Sequence, residues 1–214
     1  MTVCSCIAVS GLASHPFGSW QPKNSDKTFM WIRDVLPNVL GDVRTVIYGY
    51  DTRLDNSRSF QSIHDLADEL INHLLTYGWG SPSAKPVAFL AHSLGGLVVK
   101  EVLRKLASPS DEEYRNLLSV VRGAIFFGVP NLGMEQTHFR AIVQNNPNEA
   151  LIDDIARNSN YLRRLNEDFS ASSCIKDLTF FWAYETFESP TVVVSQRPLF
   201  LTDLCSQNIL TNDR

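Results

Sequence analysis

Short apolar runs alternate with longer stretches in which apolar residues recur every three or four positions. The runs at residues 3–9, 44–48, 86–90, 122–127, 178–184 and 191–195 are too short and too evenly apolar for amphipathic helices, and read as strands, mostly buried. Asp26 is placed to cap a helix through Phe29, Trp31, Ile32, Val35 and Leu36, ending near Pro37 and Gly41. Ser59 is placed to cap a longer helix. There Ile63, Leu66, Ala67, Leu70, Leu74 and Leu75 form one apolar stripe, and Gly78 suits its stop. Residues 96–107 read as a third helix, and two or three more are expected between residues 135 and 169. Residues 10–27, with Gly11, Pro16, Gly18 and Pro22, read as a loop.

Strands that alternate with helices predict an α/β fold, a mostly parallel sheet covered on both faces. The interval 185–190 is too short for a crossover helix, so the last two strands are expected to form a hairpin. With 214 residues and 44% apolar content, the chain is expected to form one domain over residues 1–214. The net charge of -4 gives no reason to expect nucleic acid or an anionic membrane as partner. No stretch approaches the ~20 apolar residues of a transmembrane helix. Residues 1–9 lack the basic start of a signal peptide. Cys4, Cys6, Cys174 and Cys205 have no zinc-site spacing and read as reduced thiols, Cys4 and Cys6 on one face of a strand. These features place the chain inside the cell, in the cytoplasm, with no metal and no cofactor.

The candidate chemistry lies in Phe89-Leu90-Ala91-His92-Ser93-Leu94-Gly95-Gly96-Leu97-Val98-Val99-Lys100, an apolar strand, a turn of small residues and a helix. This is the layout of a nucleophile elbow, with Ser93 at its apex and Ala91 where G-x-S-x-G has its first glycine. The bare pattern occurs by chance in roughly one chain in seven of this size, so the flanking strand and helix carry the weight. An oxyanion hole needs two backbone N–H groups, one from Leu94 and one from the loop near Gly11 and Leu12. An acid is expected after a later strand. Glu185 follows the run at 178–184, and Asp177 and Glu188 are weaker candidates.

Four ordered segments carry a family resemblance. They are Val9-Ser10-Gly11-Leu12-Ala13-Ser14-His15-Pro16-Phe17-Gly18-Ser19-Trp20, Ala91 through Lys100, Phe126-Phe127-Gly128-Val129-Pro130-Asn131-Leu132-Gly133, and Tyr184-Glu185-Thr186. The chain resembles a lipase-like serine esterase family related to GPI inositol-deacylase, and most of all the hydrolase-like domain at the N-terminus of fungal NACHT or ankyrin receptor-type proteins. The resemblance implies an α/β-hydrolase fold and hydrolysis of an acyl ester or lipid. It assigns the nucleophile to Ser93, the acid to Glu185 and the oxyanion hole to Leu12 and Leu94. It also implies fused or partner receptor-type domains. Relatives have His-Gly-Leu-Gly after the first strand, where this chain has Ser10 and Ala13 in place of the histidine and second glycine. Relatives carry the catalytic histidine after the last strand, before a final helix. This chain reads Ile209-Leu210-Thr211-Asn212-Asp213-Arg214, so its C-terminal end is truncated or diverged, and the final helix is missing or displaced.

The five histidines are His15, His64, His73, His92 and His138, and only His138 follows the elbow. His92 is poorly placed to act on its neighbour, and His15 or His138 would have to act by an unusual route. Two readings follow: an esterase or lipase whose base is not identifiable in this chain, or an inactive hydrolase fold used for signalling or protein interaction. Phe17, Trp20, Phe139 and Leu151 could make an apolar cap over an acyl substrate, or simply fill the core.

Overall fold

The structure is a computed structural model that describes residues 4–22, 28–51, 53–54, 57–108, 111–135, 140 and 142–184, together with the backbone of 190–194 and 197–200. Five strands form one parallel sheet: β1 (Cys4–Val9), β2 (Val43–Tyr48), β3 (Val87–His92), β4 (Val121–Phe127) and β5 (Thr179–Ala183). Their order is β2-β1-β3-β4-β5, so β3 is central. Parallel strands end on one edge of the sheet, and every loop leaving that edge can meet the end of β3. The helices are α1 (Trp31–Asp34), α2 (Leu36–Leu40), α3 (Ile63–Thr76), α4 (Leu94–Leu106), α5 (Glu112–Val120), α6 (Glu149–Asp154), α7 (Asn160–Ala171) and α8 (Ser173–Lys176).

Alternation along each strand divides the core between the two faces. Ile7, Val9, Phe89, Ala91 and Phe126 pack with the apolar stripes of α3, α4 and α7. Cys6, Ala8 and Leu90 face the other way, against Trp20, Met30 and Ile32. Cys6 is buried with Cys4 beside it, and burial first, then that neighbour, pushes its thiol up to about 11. Cys4, Cys6 and Cys174 are free thiols. Among the described residues, no helix is long and apolar enough to cross a membrane.

Several elements differ from expectation. Ser62, not Ser59, caps α3, because Ser62 and Asp65 form a reciprocal capping box that the spacing of Ser59 cannot make. Ile71 joins the buried stripe, and Gly78 follows the helix end at φ +84°. The helix expected from Asp26 is two short ones, with Pro37 in the first turn of α2, where its missing N–H costs no hydrogen bond. Asp26 itself lies outside the described residues. α5 was not expected: it is capped by Asp111, which accepts from Glu113 and Tyr114, and it buries only Leu117. The expected hairpin forms one step later, between β6 (Pro190–Val194) and β7 (Arg197–Phe200), while β5 joins the parallel sheet. Only two positions separate β6 from β7 in sequence, a spacing that suits an antiparallel pair.

α4 is buried on nearly all sides and carries two charged residues inside the protein, Lys100 and Glu101. Burial pulls the Glu101 carboxyl up, but Arg104 at 2.7 and 2.8 Å and His64 at 3.1 Å outweigh it, and the net direction is down. A carboxylate with a lowered pKa contributes stability above its unfolded titration range and loses it as pH falls. Arg104→Met leaves Glu101 buried without its cation. Denaturant titration should show a loss of about 2–3 kcal/mol at neutral pH. The loss should shrink as pH falls and the carboxyl of the variant takes up a proton.

Candidate active site

Ser93 leaves β3 and opens α4 with φ 51° and ψ -124°, a backbone conformation that side-chain-bearing residues rarely adopt. It costs about 1–3 kcal/mol and persists only where the surroundings impose it. Those surroundings are two glycines. A Cβ on Gly95 would stand 2.4 Å from the Ser10 carbonyl oxygen and 2.6 Å from that of Val9. A Cβ on Gly96 would stand 2.1 Å from Val129 Cγ2. The Ser93 N–H donates to the Phe127 carbonyl at 2.9 Å, and its own carbonyl accepts from Gly96 N–H at 2.9 Å. The turn is thereby held from β1, from the end of β4 and from within α4. Ser93 also sits at the positive end of the α4 dipole, and the Leu94 N–H belongs to the first turn of donors without a partner inside the helix.

The loop after β1 folds over this turn. A Cβ on Gly11 would stand 2.8 Å from Ser93 Cβ and 3.0 Å from His92 Nδ1. Leu12, expected as the second oxyanion donor, is therefore next in chain to a residue in contact with the serine. The loop is braced from outside: the Tyr50 hydroxyl donates to the Ser10 carbonyl at 2.8 Å, and Ser14 Oγ donates to the Gly11 carbonyl at 2.8 Å. Burial, with Tyr48 adding to it, pushes the Tyr50 phenol far up, so it stays a neutral donor. The two departures at this loop have visible consequences. Ser10 is fully buried and its hydroxyl finds no partner among the described residues. Ala13 has φ 52°, a conformation that suits the glycine it replaces.

The end of β5 reaches the same edge. Ala183 is in register with Phe127, which is in register with His92, and the Ala183 carbonyl accepts from Gly128 N–H at 2.9 Å. Glu185 comes two residues later and lies, with Glu188, outside the described residues. Asp177 precedes β5, which places it at the opposite edge from Ser93 and removes it as a candidate acid. Three of the described histidines are engaged elsewhere. His15 is exposed and accepts from Phe17 N–H, His64 bonds Glu101, and His73 packs on Tyr48. His92 lies under Gly11, and His138 is outside the described residues. Among the described residues, no hydrogen bond reaches Ser93 Oγ. A cleft of about 520 Å³ on the edge where the strands end is lined by Arg53, Ser57, Arg58 and Asn146. A second, of about 290 Å³, lies by Ser5 at the other edge, away from the serine.

The family described as "Putative serine esterase (DUF676)" matches residues 37–184, more than half of the chain and the part that holds the elbow. The chain belongs to this serine esterase family. It is 25% identical to Protein SERAC1 of Bos taurus over 226 residues, covering 97% of this chain and 34% of that protein. It is 26% identical to Protein SERAC1 of Danio rerio over 222 residues, covering 92% and 33%. The chain thus spans about a third of the length of these relatives. Phospholipase PlaB from Legionella pneumophila superposes with a TM-score of 0.55 at 16% identity, over 85% of this chain and 38% of that one. At that identity the likeness is one of fold, and the fold is that of the α/β-hydrolases.

Two substitutions test the geometry of this esterase elbow. Ala13→Gly should raise stability by about 0.5–1 kcal/mol in denaturant titration, since glycine removes the steric cost of the positive φ while adding some unfolded-state entropy. Gly95→Val should lose at least about 3 kcal/mol, because its branches would meet backbone carbonyls that cannot rotate away.

Proposed function

We propose that this chain is a serine hydrolase of the ester- or lipid-hydrolysing type, acting through an acyl-enzyme on Ser93. Family membership supports ester hydrolysis as the activity class. The observation that carries the finer reading is the strained Ser93 backbone with the Gly11 loop folded against it. In the first step Ser93 Oγ attacks the ester carbonyl while a general base takes its proton and then passes it to the leaving group. The N–H groups of Leu94 and Leu12 receive the developing oxyanion. The carbonyl–alkoxy bond breaks, the alcohol leaves with that proton, and water then hydrolyses the acyl-serine to free acid. Glu185 is assigned the acid that orients the base. The substrate is a small acyl ester or a lipid, and no cofactor enters the chemistry.

One observation favours a second reading, a hydrolase fold that serves signalling or protein interaction without turnover. His15, His64 and His73 make their contacts with Phe17, Glu101 and Tyr48, and no hydrogen bond among the described residues joins a histidine to Ser93 Oγ. The threefold greater length of the relatives accords with a domain that works beside others, such as fused receptor-type domains.

A fluorophosphonate probe separates the two. The esterase reading expects labelling of the folded chain, lost in Ser93→Ala, and release of p-nitrophenol from short-chain esters that falls by at least about 10³-fold in the same variant. A folded chain that takes no label would reject activity in this polypeptide and favour the interaction module.

A further inference from the structure

Lys100 is 3% exposed, in the second turn of the helix that Ser93 opens. A buried ammonium normally has a carboxylate beside it. Here its hydrogen bonds go to two neutral amides. Nζ donates to Asn131 Oδ1 at 2.9 Å and to Asn166 Oδ1. Asn166 Nδ2 in turn donates to the main-chain carbonyl of Asn131 at 2.7 Å, closing a ring of three residues. Two aromatic faces complete the cage, Phe169 at 5.0 Å and Trp182 at 5.8 Å from the ammonium. Trp182 also stacks on Phe126 at 4.4 Å.

The elements joined here are those that hold the elbow. Asn131 belongs to the segment 128–133, whose Val129 fills the space above Gly96 and whose Gly128 donates to Ala183. That segment follows Phe127, the acceptor of the Ser93 N–H. Trp182 lies on β5, three residues before Glu185. Lys100 therefore connects the helix under the nucleophile to the segment leaving β4, to α7 and to the strand that leads to the assigned acid.

We infer that Lys100 is a positioning residue of the serine centre, whose ammonium holds residues 128–133 and the end of β5 in register with Ser93. This role rests on the serine hydrolase reading. The ammonium supplies charge-assisted bonds and cation–π attraction that a neutral amine supplies only weakly. The charged groups on the surrounding elements point elsewhere: Glu101 to His64 and Arg104, Glu167 to Arg163, and Asp168 to Arg104. Neither β5 nor the segment 128–133 carries an ionisable side chain. Burial accordingly lowers the amine from 10.5 to about 7. The sign follows: the unfolded chain binds the proton more tightly, so burying Lys100 costs most stability below about pH 7, and the cost fades as pH rises toward 10.5. The positioning effect runs the opposite way and is strongest where the proton is held.

The test compares rates of fluorophosphonate labelling at Ser93 in the full chain, Lys100→Met and Lys100→Arg, at pH 6 and pH 9, with circular dichroism to confirm folding. Lys100→Met should label about tenfold more slowly at pH 6, and the deficit should shrink toward parity at pH 9. Lys100→Arg, permanently charged, should recover most of the pH 6 rate. A Lys100→Met rate equal to the parent's at pH 6 would overturn the role. So would an equal deficit at both pH values, the mark of a packing defect. A parent chain unlabelled at every pH would instead overturn the serine reading, and this role with it. If Lys100→Met does not fold, Asn131→Asp supplies a carboxylate that keeps the proton on Lys100. It should label faster than the parent at pH 9, and failure to do so would overturn the proposal.

Discussion

Everything at the site depends on one close approach, that of the α4 backbone to the carbonyls ending β1. Gly95 sits where any side chain would enter the Val9 and Ser10 carbonyl oxygens. That approach allows the chain to turn at Ser93 in a conformation the residue would not choose, and it brings Gly11 onto the serine. The same approach embeds α4 so deeply that even its charged residues lie inside the protein. A bulkier residue at position 95 would alter the sheet, the turn and the loop after β1 together, because all three meet at one pair of carbonyls.

Lys100 and Glu101 show two ways of burying a charge at adjacent positions of one helix. Glu101 faces α3 and is neutralised by Arg104 and His64, with Lys105 and Asp68 bridging the same two helices nearby. Lys100 faces α7 and meets dipoles and ring faces in place of a countercharge. The first arrangement joins two helices. The second joins a helix to an irregular segment, where amide side chains can follow the turns of the backbone and a rigid ion pair could not.

The strands were legible because each is a short apolar run in a sheet covered on both faces, and the elbow because strand, turn and helix are local in sequence. α3 was legible from its stripe, but its start was misjudged, since Ser59 and Ser62 differ only in whether an acid stands three residues on. α5 escaped notice because a helix that buries a single leucine leaves almost no apolar period. Pro198 obscured β7, although a strand in a two-stranded ribbon has an edge where proline is tolerated. The sequence pattern placed Ser93 on a strand–helix turn beside the loop after β1, and the structure has that arrangement. Asp177 could not be judged until the direction of β5 showed which end of the strand it occupies. Lys100 left one sign, a lone charge on the apolar side of a helix, and nothing local could say that its partners lie 31 and 66 residues away.

The enclosure of α4 has a further consequence. The posture of Ser93 is fixed by its glycine neighbours, by the ends of β1 and β4 and by the loop at Gly11, all acting on its backbone and Cβ. Among the described residues, the hydroxyl takes no part in holding the turn. The shape of this corner and the chemistry at its tip can therefore vary independently.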